Sequence, residues 1–535
     1  MKTDDIDMII DIFQRVSVLT EEDILIQKCC QNIIDEIIDK ANKGQRSIEE
    51  KIKKVKEELK DKIRMYLTTY KENEINVGLS CLKAFFKVQI SDTNNEQNNF
   101  EYSMRLEEIL NLILLESECQ AKGKNSIFNG SKNMQISFSL AYYYCVLSDN
   151  MEHYVMQKEK YNGVLANDLK FIFREGYFYS EEYSNYMDSY LFMNLYEVPE
   201  DSVIKTPAIR EWMQKEGLTM EKIRRLQETA VKTYLGFSFE DLRLFIRFLF
   251  QHQYNNVYFF MAEKDTVDEI DNEYGIGAET ERIIDYFSMD FPLINSAQKV
   301  NKTRLLELKS ILKIDGFLLI FPLEFIYNSN CFEKIVLKKH FINYVNFSLE
   351  DSQKEEFGKM LDKHEEKLSS FLAYALLDEF SVNGYIVPKC REKPMAEITS
   401  INKVMEDKKQ KNILNDGENK GDIDVLAADL KKKEIYNIEI KYYQPLVDIG
   451  EMYSVKKEDE RNKNIVKSIR RGQILYDNME VVLHFLGLDS YEADKYKIRT
   501  IFVTPRPDYW LKKEKHGIEY YEWVEILDGI RKKSL

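Results

Sequence analysis

Glycine and proline are scarce in this chain, with 20 Gly and 9 Pro in 535 residues. Few positions can therefore host a tight turn or interrupt a helix, and long helices are expected. No apolar run approaches the ~18 residues of a membrane span, and the start shows no signal-peptide pattern, so a cytoplasmic protein with no membrane partner is expected. The seven cysteines are scattered apart from Cys29-Cys30 and form no CxxC pair. That excludes a disulfide scaffold and a zinc ribbon, and it fits free thiols in a reducing compartment. The six histidines show no metal-ligand spacing, and His364 reads as a surface residue. A Walker A loop, a Rossmann fingerprint and an internal repeat are all missing.

What is present is enough for packed cores. Hydrophobic residues make up 44% of the chain and aromatics 12%, which speaks against disorder. The length calls for more than one domain, because single cores rarely grow beyond about 250–300 residues. Residues 1–350 read as a mostly helical region. IDMIIDIFQRV is amphipathic, and SIEEKIKKVKEELKDKIRMYL at 47–67 has helical or heptad spacing. Ser47 with Glu50 forms a capping box. The aromatic run at 161–196 carries more acid than base, so core packing or a protein interface is expected over base stacking. NVYFFMA at 256–262 and DGFLLIFPLEFIY at 315–327 read as strands.

Charge separates the two ends of the chain. Residues 351–535 hold 33 Lys and Arg against 35 Asp and Glu, a net of −2 out of the chain's −15, which leaves −13 for 1–350. The acidic region would repel a polyanion. It is expected to bind a protein partner, to form a homo-oligomer, or to restrain the remainder.

The segment GDIDVLAADLKKKEIYNIEIKYYQP at 421–445 carries the chemistry. Side chains alternate faces along a strand. Tyr436, Ile438 and Ile440 share one face of the second strand, and Asn437, Glu439 and Lys441 share the other. In the first strand Ile423, Val425 and Ala427 oppose Asp422, Asp424 and Leu426. A turn centred on Lys431–Lys432 sets Asp424 opposite Glu439. Lys-Lys is a poor two-residue turn, so a longer loop is expected. A slip of one residue would turn the acids to opposite faces. Two carboxylates suit magnesium, which takes one or two of them together with waters and phosphate oxygens. A neighbouring lysine can orient the water, stabilise the transition state or act as base. Glu-x-Lys alone says little in a chain that is 31% charged, since Glu58-Leu59-Lys60 and Glu365-Glu366-Lys367 match it too. The Gly-Asp-x-Asp entry, and the second acid fifteen residues later in another apolar strand, supply the context.

That segment resembles the PD-(D/E)xK nuclease superfamily, the restriction-endonuclease-like fold. The resemblance implies that Asp424 is the first acid, Glu439 the second and Lys441 the catalytic lysine, with the Ile440 carbonyl as a further metal ligand. It covers 355–535 and implies an αβββαβ core, so the fold class is a helical region followed by a C-terminal α/β domain. Residues 361–379 supply the first helix, YIVPK at 385–389 a strand, a long helix spans 463–486, and KIRTIFVTPRP at 497–507 is the next core strand. Residues 517–533 offer a short strand and a final helix, and 390–421 a charged loop or insertion. The family often carries a glutamate on the first helix. Glu366 is the candidate with Glu365 close behind, and a solvated helix face accounts for either equally well. Lys463, Lys467 and Arg470 recur at helical spacing beside Arg471 and Gln473, as phosphate contacts or as a solvated face. Gln473 and Tyr476 are three apart where some branches of the family have four.

The expected function is a Mg2+-dependent DNA endonuclease, with Mn2+ expected to substitute, serving bacterial restriction or antiphage defence. A non-catalytic nuclease-fold scaffold and an RNA-cleaving nuclease are the alternatives.

Overall fold

The computed structural model describes residues 3–19, 24–44, 46–91, 111, 123–129, 132–174, 177–181, 184–185, 204–252, 257–290, 294, 305–306, 308–335, 349–388, 399–406, 422–443, 459–488, 490–505, 508–513 and 517–535. They fall into two units. The first joins Met1–Tyr179 to Glu228–Gly358, and the second joins Ser180–Gln227 to Lys359–Leu535. The sequence reading drew its boundary between 350 and 355 and left residues 180–227 in the N-terminal region. The described part of that stretch instead packs with the C-terminal unit. Ile204, Ile209, Met213 and Leu218 join the core of the C-terminal sheet. The Lys205 amide donates to Asp378 at 2.6 Å, and the Lys205 ammonium sits 3.0 Å from Glu379.

The first unit opens with helices α1 (Thr3–Leu19), α2 (Ile24–Asn42), α3 (Ile48–Leu67) and α4 (Glu72–Ser91), followed by α5 (Lys132–Met156). In α3, Ile52, Val55, Leu59, Ile63 and Leu67 are buried at steps of three and four, the stripe that helical periodicity requires. Its capping box is formed: Ser47 Oγ accepts from the Glu50 amide at 3.3 Å, and Glu50 accepts from the Ser47 amide at 2.9 Å. Part of the aromatic run packs inward, with Tyr161 4.7 Å from the buried Phe178 ring, while Tyr177 is exposed. Residues 175–176, 182–183 and 186–196 of that run lie outside the described residues.

Farther along come α6 (Phe239–His252), β1 (Phe259–Ala262), β2 (Ile311–Ile314), β3 (Phe317–Ile320) and α7 (Pro322–Ile335). The strands form an antiparallel sheet in the order β1-β3-β2. Asp315 (φ 51°) and Gly316 (φ 82°) close the β2–β3 hairpin, the left-handed pair that Asp-Gly supplies at low cost. Only the front of the 315–327 run is strand, because Pro322 opens α7, where its missing N–H costs nothing.

The first unit also holds a fully buried ion pair. Lys83 of α4 lies 3.1 Å from Glu324 of α7, both with no side-chain exposure, and Lys83 donates to the Leu306 carbonyl at 2.6 Å.

The second unit is built on helix α8 (Asp351–Val382), whose first residues belong to the other unit. It contains β4 (Thr399–Ser400), α9 (Ile401–Glu406), β5 (Asp422–Ile423), β6 (Val425–Asp429), β7 (Glu434–Ile440), α10 (Asp459–Asp477), α11 (Met479–Phe485), β8 (Lys497–Thr504), β9 (Glu519–Glu522) and α12 (Trp523–Lys532). The main sheet runs β6-β7-β8-β9. β6 and β7 are antiparallel, while β8 lies parallel to β7 and β9 parallel to β8. A parallel neighbour needs a crossover, and α10 and α11 provide it between β7 and β8.

Both faces of the sheet are covered. Leu368, Leu372, Leu376 and Phe380 of α8 pack on Val425, Ala427, Tyr436, Ile438 and Ile440. Leu426, Ala428 and Ile435 pack on Leu475, Met479 and Val482. Gly472 of α10 lets that helix approach closely, since a Cβ there would meet Thr500 Oγ1 at 2.2 Å.

Several expectations change. YIVPK yields a single bridge, Ile386 to Ala428, rather than a strand. The long helix breaks at Asn478 into α10 and α11. The stretch read as a charged loop contains β4 and α9, and its remainder lies outside the described residues. His364 is buried on α8 rather than at the surface, and loss of water pushes its imidazole down to about 4.

Two mutational outcomes follow. Lys83→Met is expected to destabilise by about 3–5 kcal/mol by stranding a buried carboxylate, and Lys83→Met with Glu324→Leu to recover most of it. Denaturant unfolding of the full chain measures both. Gly472→Ala is expected to lose about 1–3 kcal/mol to overpacking despite alanine's better helix propensity, with Thr500→Ala restoring the fit in the double variant.

Candidate active site

The site grows out of an irregularity in the chain. β5 pairs with β4, the backbone bends at Asp424, and β6 starts at Val425. The bend breaks the alternation across the segment. Ile423, expected to face with Val425 and Ala427, packs with Leu426 and Ala428 instead. Beyond the bend the register is the expected one: Val425 opposes Ile438, and Asp429 opposes Glu434. The turn is the four residues Leu430–Lys433, with Lys433 at φ 54°. Asp429 Oδ1 accepts the Lys431 and Lys432 amides at 2.8 and 3.1 Å, so the side chain of the last strand residue braces a turn whose lysines lack intrinsic turn preference.

The structure brings Asp424, Glu439 and Lys441 together. Asp424 Oδ2 accepts the backbone N–H of Ile440 at 2.7 Å. Glu439 is buried, with Oε1 2.6 Å from Lys441 Nζ. The Lys441 amide donates to the Val503 carbonyl at 3.0 Å, which anchors the end of β7 to β8. The Lys441 side chain stays about one-third exposed.

Arg471 is the residue that the sequence reading misplaced. Its place beside Arg470 predicts a phosphate contact or a solvated face, yet it is buried and faces the sheet. Its guanidinium donates to Glu439 Oε2, to the Asp422 carbonyl and to Ser468 Oγ, the last at 3.0 Å. Helical phase explains the difference. Ser468, Arg471 and Leu475 lie at steps of three and four on the inner face of α10, and all are buried. Lys463, Lys467, Arg470 and Gln473 lie on the exposed face. Gln473 donates to Asp477 one turn on at 2.8 Å. Asn437, on the same sheet face as Glu439, donates to the Ser468 carbonyl at 3.1 Å and so seats α10. The inner stripe of Ser468, Arg471 and Gly472 is the signal for Arg471, and the basic outer stripe masks it.

Glu366 is exposed on α8 and Glu365 half-buried. Among the described residues no third acid, histidine or cysteine joins Asp424 and Glu439 in a metal-sized group, so Glu366 does not complete the site here.

The electrostatics are those of two acids sharing a small space. Although Asp424 keeps some exposure, crowding protein atoms strip water from it, and Glu439 adds repulsion. Its carboxyl is pushed up to about 7, against the pull of Lys441, the Ile440 amide and Arg471. Burial alone would depress the Lys441 ammonium, but Glu439 and Asp424 more than reverse this and raise it. Lys441 is therefore a cation at neutral pH. The donor set fits magnesium: two carboxylates suffice when waters and phosphate oxygens fill the other positions, and a divalent cation would relieve the repulsion that raises Asp424.

No family model matches the chain, and no curated protein or solved structure is significantly similar to it. Fold and site therefore rest on the geometry of this chain.

A raised acid has a definite stability signature. The folded state holds the Asp424 proton up to about pH 7, whereas an unfolded aspartate loses it near the ordinary value of 3.8. The penalty is absent below about pH 4, grows as pH rises toward 7, and is constant above. Asp424→Asn keeps an oxygen for the Ile440 amide. In EDTA it is expected to be more stable than wild type at pH 8, by on the order of a few kcal/mol, with the gap closing toward pH 4. Thermal unfolding across that range measures it.

Proposed function

We propose that this protein is a metal-dependent DNA endonuclease that hydrolyses phosphodiester bonds with magnesium as its cofactor. The observation that carries the reading is the convergence of Asp424, Glu439 and Lys441 at the ends of adjacent strands, with the Asp424 carboxylate fixed by the Ile440 amide. The order of α8, the Ile386 bridge, β6, β7, α10 and β8 supports it, because that is the sequence of elements in an αβββαβ core.

On this reading Asp424, Glu439 and the Ile440 carbonyl would hold the metal. Bound magnesium would lower the pKa of a coordinated water and offset charge on the scissile phosphate. Arg471 fixes the orientation of Glu439 from inside the fold. Lys441, with its side chain about one-third exposed beside Glu439, would stabilise the charge that develops on the phosphate. Lys463, Lys467 and Arg470, exposed on α10, track the DNA backbone. Residues 1–350, at a net charge of −13, engage a protein partner or a second copy. Restriction or antiphage defence in a bacterial cytoplasm is the setting that the family resemblance suggests.

One observation favours a non-catalytic scaffold: both Glu439 oxygens are taken by cations of the protein. Cleavage assays separate the readings. Plasmid, linear duplex, single-stranded DNA and RNA are each incubated with magnesium, manganese or EDTA. Cutting of DNA is expected with either metal, none in EDTA, and a fall of at least about a hundredfold in Glu439→Ala and in Lys441→Ala. Variants that cut like wild type would place the chemistry elsewhere, and cleavage of RNA alone would change the substrate.

A further inference from the structure

The first unit contains a solvent-open cavity of about 580 Å3, within the size range of small-molecule sites. Three cations line it: Arg282, Lys309 and Lys313. Two acids, Asp285 and Asp290, face the same space. Leu235, Met289, Ile294 and Leu349 form an apolar wall, and Tyr234 and Tyr286 add two rings.

The charges are not equally committed. Lys313 lies 2.9 Å from Asp285 and 2.7 Å from Glu263, so its charge is already balanced. Lys309 is buried; its ammonium donates to the Tyr286 carbonyl and sits 4.5 Å over the Tyr286 ring. Burial pushes that ammonium down to about 7, with Asp290 opposing the shift and Lys83 adding to it. Arg282 is exposed at the wall and makes no ion pair among the described residues. Its side chain runs past Gly236, where a Cβ would come within 3.2 Å of it. Asp285 and Glu263 are matched to Lys313 and Asp290 is set against Lys309, which leaves Arg282 as the lining cation with no ion pair among the described residues.

A planar guanidinium with parallel N–H groups is suited to a phosphate or carboxylate, and the buried Lys309 ammonium, whose charge desolvation disfavours, would be held charged best by the more highly charged of the two. The apolar wall requires that the ligand also carry an organic body. We propose that this cavity binds a small phosphate ester, with Arg282 and Lys309 gripping the phosphate and the organic part packing on Leu235, Met289 and Leu349. The proposal is independent of the nuclease reading.

Adenosine monophosphate serves as the probe, with inorganic phosphate and adenosine as its separate halves, titrated calorimetrically into the full chain in EDTA. One site per chain is expected for the nucleotide, with each half binding at least about tenfold more weakly. Arg282→Gln is expected to weaken the nucleotide by about tenfold, the loss of one charge-assisted contact. Because Arg282 is exposed, that variant tests the site without disturbing the core, and Lys309→Met, checked for unchanged circular dichroism, tests the deeper contact. Absence of nucleotide binding would overturn the proposal. So would binding that Arg282→Gln leaves unchanged, binding no tighter than phosphate alone, or binding lost in Glu439→Gln instead.

Discussion

The second unit depends on a charge kept inside it. Glu439 sits on a strand whose two faces are both covered, and a lone carboxylate there would cost several kcal/mol. Arg471 meets one oxygen from α10 and Lys441 the other from the strand end. The same guanidinium reaches the Asp422 carbonyl, so one side chain ties the crossover helix to β7 and to the chain just before Asp424. Gly472, the next residue, permits the helix to come that close. The geometry of the acids is thus set by an ion pair rather than by the hairpin alone.

Asp424 completes the arrangement from the opposite direction. The bend that ends β5 frees its carboxylate to take the Ile440 amide. Two acids are thereby drawn close enough that one resists ionisation at neutral pH, while the lysine beside them holds its proton. Paired shifts of this kind are common where groups are arranged for chemistry, although structural ion-pair networks produce them too. A divalent cation bound there would relieve the repulsion between the acids.

Much of this was legible in the sequence because strands obey a two-residue period. The opposition of Val425 and Ile438, and the placing of Asn437, Glu439 and Lys441 on one face, follow from alternation and a symmetric turn. Alternation failed where the backbone bent, which misplaced Ile423. Arg471 was misread because a helix with basic residues on its outer face hides the phase of one more basic residue turned inward. The β2–β3 hairpin has a local signal in its Asp315-Gly316 pair. The union of Ser180–Gln227 with the C-terminal unit had none, because it rests on contacts such as Lys205 with Glu379, more than 170 residues apart in sequence.

We propose that Asp424 and Glu439 together would hold a divalent cation. Calorimetric titration of Mn2+ into the full chain at pH 8 tests it most directly, with wild type compared with Asp424→Asn and Glu439→Gln. One site per chain that is lost in both variants is the predicted result. Undiminished binding in either variant, or no binding to wild type, would contradict it.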